Sequence, residues 1–220
     1  MKQPIAIALI GAAAVMTAAS PAAASVTTSS TAFGLNDVPA GSTLIDFDHA
    51  LPAGFTLSGG QVRNFSDGAG AEPAIAQDVK ETSFYLTSNP GNPATLLSSI
   101  GYRTVSFLWG SIDDYNTVSL LDSAGATIQA FTGMDMGPPA NGDQGAAATN
   151  RRVTFTTSGT TSAIYGLRFE TGSPAFEIDN VAFSAAVPEP ASWAMMICGF
   201  GAIGAVLRRR AARTGGAALA

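Results

Sequence analysis

The chain of 220 residues holds one cysteine, Cys198, and one histidine, His49. A single cysteine excludes an internal disulfide, so the fold must rest on its core. A single histidine excludes a His-rich zinc site and leaves one base for a hydrolytic triad. No Gly-x-Ser-x-Gly occurs, no glycine loop is placed to cradle a phosphate, and the dinucleotide fingerprint is missing. Charged residues make up only 12% of the chain, and no segment keeps a helical period outside its two apolar ends. These absences predict a protein that is not an enzyme. A glycosidase pair drawn from Glu72, Glu81, Glu170, Glu177 and the aspartates stays open, because spacing in sequence does not place two carboxylates across a cleft.

What is present is concentrated at the ends. Lys2 precedes an apolar stretch from Ile5 to about Ala19, then Ser20, Pro21 and the small residues Ala22, Ala23 and Ala24. That order predicts a signal peptide over 1–24, cleaved after the Ala22-x-Ala24 pattern and before Ser25. At the other end, Pro188-Glu189-Pro190 leads through Trp193-Ala194 into an uncharged run ending at Leu207, then Arg208-Arg209-Arg210. Residues 191–207, at about 1.5 Å each, span roughly 26 Å as a helix, just short of a hydrocarbon core of about 30 Å. One transmembrane helix is expected there. Trp193 would lie at one interface, and the arginines would stay cytoplasmic with residues 211–220. The two prolines hold the segment before the helix extended, and Glu189 supplies its only charge.

The run VPEPASWAMMICGFGAIGAVLRRR resembles the PEP-CTERM sorting tail, in the variant with Trp-Ala after Pro-Glu-Pro, and it shows every landmark in order. The resemblance covers about Val187 to Arg210, with the sorting region taken as 188–210. It implies a Gram-negative protein read by an exosortase, a membrane transpeptidase-like enzyme, in a cell that makes exopolysaccharide. The implied route is an inner-membrane intermediate followed by the cell surface or extracellular matrix. The same tail is also described as an ice-binding-protein C-terminal domain.

Residues 25–187 carry 6 basic and 15 acidic side chains, a net charge of −9, which argues against nucleic acid as a partner. Gly, Ser, Thr and Ala with spaced phenylalanines make a β-sheet composition. Nine strands are predicted, near 43–47, 55–58, 84–87, 104–109, 117–122, 127–132, 151–157, 163–170 and 175–183. Val105, Phe107 and Trp109 alternate onto one face, as do Tyr165, Leu167 and Phe169. The expected fold is mainly β, a single jelly-roll-like β-sandwich ectodomain. The stretches from Gly59 to about Lys80 and from Met134 to Asn150 read as long loops, where binding usually resides.

Within that frame, Asp113, Asp114, Tyr115 and Asn116 follow an apolar strand ending in Trp109 and favour a turn. Ectodomains with this kind of tail look similar here, and carbohydrate-binding modules of this architecture use aromatic platforms bordered by hydroxyl-binding carboxylates and amides. Trp109 shares parity with Val105 and Phe107, which points it into the core. In the last strand, Phe176 and Ile178 alternate at even numbers and Val181 and Phe183 at odd numbers, so a β-bulge is expected at Asp179-Asn180. Carbohydrate-binding jelly rolls, as the resemblance implies, often hold a structural calcium between an acidic residue near the last strand and ligands from an early one. Asp46, Asp48 and Asp179 are the matching carboxylates, set against a reading in which they are solvated or make turns.

The expected function is an exported surface or matrix protein whose partners are an exosortase, the membrane through the tail helix, and exopolysaccharide or another glycan. A structural or adhesive protein without a glycan site is the alternative, with ice binding and glycoside hydrolysis behind it.

Overall fold

The computed structural model describes residues 25–158, 163–185, 196–201, 203, 204 and 208. Fourteen strands run through residues 25–184: β1 (Ser25–Ala32), β2 (Thr43–Ile45), β3 (Phe55–Ser58), β4 (Gln61–Arg63), β5 (Ala74–Ala76), β6 (Val79–Lys80), β7 (Tyr85–Ser88), β8 (Ala94–Tyr102), β9 (Thr104–Gly110), β10 (Asn116–Leu121), β11 (Thr127–Thr132), β12 (Arg151–Ser158), β13 (Ile164–Thr171) and β14 (Phe176–Ser184). Seven form one antiparallel sheet in the order β1-β12-β9-β14-β7-β4, with β2 also on β14, and five form a second in the order β11-β10-β13-β8-β3. From β7 onward the chain passes repeatedly from one sheet to the other.

Aromatic rings join the sheets. Phe107 of β9 meets Phe169 of β13 edge-on at 5.2 Å, Phe155 of β12 meets Phe131 of β11 at 4.9 Å, and Phe183 of β14 meets Phe55 of β3 at 5.0 Å. Trp109 is fully buried and stacks on Phe176 at 4.5 Å, as its parity predicts. Such pairs add about 0.5–1.5 kcal/mol each to the burial of their area. This shared core takes the place of a disulfide.

The bulge in β14 is present. One edge of the strand pairs with β7 over Phe176–Ile178 and with β2 over Val181–Phe183, and the β9 ladder shifts register between Asp179 and Ala182. Asn180 takes a positive φ of 48° at the break. Phe176, Ile178, Val181 and Phe183 all reach the core as a result.

Three expectations change. Tyr165 does not join Leu167 and Phe169 in the core; a register shift between Ile164 and Gly166 against β8 puts Ile164 there instead. The 59–80 stretch is not strand-free, since β4, β5 and β6 lie in it. β1 and β8 were also unexpected. The transmembrane helix expected over 191–207 falls mostly outside the described residues. Residues 196–201, 203, 204 and 208 are helical, and among the described residues no helix is long and apolar enough to cross a membrane.

Part of the outer face of the larger sheet is buried as well as the inner one. Ser106, Leu108, Arg152, Glu177 and Asp179 lie on it and are nearly or fully inaccessible. Gly34 and Leu35 accept hydrogen bonds from Arg152, and Ala71 donates to Glu177, so the segments around 34 and 71 form the covering layer. Polar side chains thus occupy a second, smaller interior.

Candidate functional site

The segment 110–116 joins β9 to β10 and is held by the loop 134–150. Ile112 N–H donates to Thr149 O at 2.7 Å, Gly142 N–H donates to Ile112 O at 3.0 Å, and Asp113 bridges to Asn141. Gly142 has a φ of +69°, and a Cβ there would lie 2.4 Å from Asp113 Oδ1, so this position needs glycine to let the carboxylate sit where it does. Asn150 secures the base, accepting from Ser111 N–H at 3.1 Å and Ala74 N–H at 2.9 Å.

The loop presents Asp114 and Tyr115 to solvent, with Asp113 half-buried. The Tyr115 hydroxyl donates to Asp113 Oδ2 at 2.6 Å. Burial, and then the bond to Asp113, raises the Tyr115 phenol above its ordinary range, so the hydroxyl stays protonated. Burial also raises the Asp113 carboxyl, against the hydrogen bond from Tyr115 and with Asp114 adding to the rise. The arrangement gives an exposed ring with its phenol and two carboxylates within three residues.

Asn116 is a correction to the expected set. Its side chain is fully buried, Nδ2 donating to Ala175 O at 3.3 Å and Oδ1 accepting from Thr171 Oγ1 at 2.7 Å. Both ends of the amide are used, because Asn116 opens β10 and faces the turn before β14. It ties strands together and offers nothing to a ligand.

The calcium set fails on geometry. Asp46 Oδ2 meets His49 Nδ1 at 2.8 Å, Asp48 Oδ1 accepts from Phe84 N–H at 3.0 Å, and Asp179 is 1% exposed on the outer face of the sheet. Among the described residues no three His, Cys, Asp or Glu side chains are grouped to hold a metal ion. Same-side spacing of Asp46 and Asp48 requires a strand through both, but β2 ends at Ile45 and both residues lie beyond it.

Asp179 has a different neighbour, which the sequence did not reveal. It lies against Glu81, and burial followed by that contact pushes its carboxyl far above the usual range. Asp179 Oδ1 accepts from Asn180 N–H at 2.6 Å and Glu81 Oε1 from Ser83 Oγ at 2.6 Å. The second oxygen of each, Oδ2 and Oε2, is buried without another partner. Desolvated and facing another acid, the Asp179 carboxyl is held in its protonated form. Nearby, Glu177 accepts from Ser111 Oγ at 2.7 Å and from Ala71 N–H at 3.0 Å, and burial pushes it up to about 7.

A further aromatic also escaped the sequence reading. Phe65, in the loop after β4, is half exposed, with the Arg63 guanidinium 4.5 Å from its ring centre and Asp67 paired to Arg63.

The sorting residues Pro188, Glu189, Pro190, Trp193, Ala194, Arg209 and Arg210, and the cleavage residues Ala22 and Ala24, lie outside the described residues; Arg208 is helical and exposed, and Ser25 opens β1. The family model of the PEP-CTERM protein-sorting motif matches residues 186–210, directly after β14. No curated protein matches the chain. The chain therefore carries a PEP-CTERM sorting signal, which implies exosortase processing and export to the cell surface.

Proposed function

We propose that this is a surface or matrix protein of a Gram-negative cell, made with a cleaved signal peptide, held by a transmembrane tail helix until exosortase processing, and carrying a non-catalytic, jelly-roll-like ectodomain. The motif at 186–210, placed immediately after the last strand, carries the reading. Replacement of Pro188, Glu189 and Pro190 by alanine is expected to leave the protein in the inner-membrane fraction while the unsubstituted protein reaches the surface. Equal surface amounts would contradict it.

For the ectodomain we propose glycan binding, with exopolysaccharide as the ligand class and Tyr115, Asp113 and Asp114 as contacts. Tyr115 supports this as an exposed ring bonded to a carboxylate, held on a braced loop. Phe65 is a second exposed ring beside charged groups. Catalysis is disfavoured by how the carboxylates are used: Glu177 has both oxygens occupied, Glu81 is buried against Asp179, and Glu170 pairs with Arg168. Tyr115→Ala should weaken retention on the host's purified exopolysaccharide about tenfold or more, the loss expected of one aromatic contact of roughly 1.4 kcal/mol or more. Unchanged retention would favour the structural or adhesive reading, in which no aromatic cluster is needed.

A further inference from the structure

We propose that β1 is a docking edge for a second copy of this chain. Among the described residues β1 pairs only with β12, in unbroken register from Ser25 opposite Ser158 to Ala32 opposite Arg151. Its other edge presents a row of backbone N–H and C=O groups, the template on which another strand adds.

Proteins protect such edges by making them short, charged, proline-bearing or bulged. The other edges here are protected in those ways. β4 has three residues and ends in Arg63, and β3 has four. β11 has six, meets β10 across a register break at Leu120/Leu121, and lies between Asp122 and Asp135. β1, with the sequence SVTTSSTA, has eight residues, no charge, no proline and no register break.

Its side chains do not commit it to the core either. Val26 packs against the core, but Thr28 and Ser30, opposite the buried Phe155 and Val153, remain exposed. The smaller sheet does not cover them. Apart from Val26 and Ala32, β1 is thus polar on both faces, and among the described residues no strand pairs with its free side.

Charge selects the partner. With 15 acidic against 6 basic side chains in residues 25–187, two copies repel over most of their surfaces. β1 and β12 together contain no acidic residue, and the exposed side chains of β1 are uncharged. Two copies can therefore pair along β1 without bringing strand carboxylates opposite one another. Antiparallel β1–β1 pairing about a two-fold axis joins the two larger sheets into one and leaves neither β1 edge free, so the assembly closes at the dimer. One strand pair buries less than a standard interface, so association is weak in solution and gains strength among copies confined to a surface.

The test is sedimentation equilibrium of the full chain in density-matched detergent, beside a Thr27→Lys/Ser29→Lys variant, both positions being exposed. The unsubstituted chain should pass from monomer to dimer with concentration, and the variant should stay monomeric with an unchanged melting temperature. The tail is identical in both, so a dimer that persists in the variant belongs to the tail and overturns the proposal. A chain that stays monomeric throughout also overturns it. Amide exchange on the unsubstituted chain gives an independent reading that needs no variant. Protection should rise with concentration in β1, and a rise confined to β11 or β3 would overturn the assignment.

Discussion

Asp179→Asn is expected to raise the melting temperature at pH 8 and to change it little at pH 4. Asp179 is 1% exposed, and its Oδ2 faces buried space whose nearest acid is Glu81, itself with an unpartnered Oε2. Asp48 adds to the negative field, while Arg152 pulls the other way. The folded-state carboxyl value lies above the unfolded value of 3.8, so above that pH the folded protein binds more protons than the unfolded chain. The stabilisation is complete below about 3.8 and is lost as pH rises toward the folded value. An asparagine N–H can serve the free oxygen of Glu81 without titrating. The gain at pH 8 should be on the order of 1–3 kcal/mol, the cost of leaving a buried polar group unsatisfied. Thermal melts of both proteins across this pH range measure it. A residual decline between about pH 4.5 and pH 7 should survive in the variant, because Glu177 is also raised, from 4.5 to about 7, and its contribution has the same sign. A variant less stable than its parent at both ends of the range would contradict a buried Asp179 that costs stability as pH rises.

Arg152→Lys is expected to destabilise the protein by roughly 2–5 kcal/mol although it keeps the charge. The Arg152 guanidinium is buried on the outer face of the larger sheet and donates to Gly34 O at 2.6 Å, Ser106 Oγ at 2.9 Å, Leu35 O at 2.9 Å and Asn180 O at 3.1 Å. Burial lowers its pKa to about 10, with Asp179 and Asp37 opposing the fall. One planar fork spans the segment after β1, the strand β9 and the bulge in β14. An ammonium on a flexible stem cannot reach all of them, so carbonyls are left unpaired in a buried place. Urea unfolding gives the loss, and limited proteolysis near Gly34 should show that segment released first. A change under about 1 kcal/mol would mean the carbonyls find other donors.

The parts of this fold that could be read from the sequence were those written in local alternation. The parity change from Phe176 and Ile178 to Val181 and Phe183 required a bulge, and one exists at Asp179-Asn180. The alternation of Val105, Phe107 and Trp109 placed the tryptophan inside, where it stacks on Phe176. Tyr165 misled because a shift of register against β8 cannot be seen in one strand alone. β1 was missed because Thr and Ser at every position but Val26 and Ala32 give no apolar period.

The site was less legible, for a physical reason. Sequence rules treat Arg, Asp and Glu as surface groups, but the covering loops make a second interior in which Arg152, Glu81, Glu177 and Asp179 are buried. Glu81 and Asp179 are far apart in the chain, and only the packing of the segment before β7 against β14 brings them together. Of the four loop residues read as ligand contacts, Asp114 and Tyr115 are exposed and Asp113 is half-buried, whereas Asn116 was claimed by the backbone of its neighbours. A turn-forming sequence does not show which of its amides the fold will use.

The most direct test of the central claim is the intact mass of the protein recovered from the surface and medium of its native host. Sorting through the motif at 186–210 predicts a chain that begins at Ser25 and has lost its C-terminal arginines through cleavage near Pro188-Glu189-Pro190. A surface form that still carries Arg208, Arg209 and Arg210 would contradict exosortase processing.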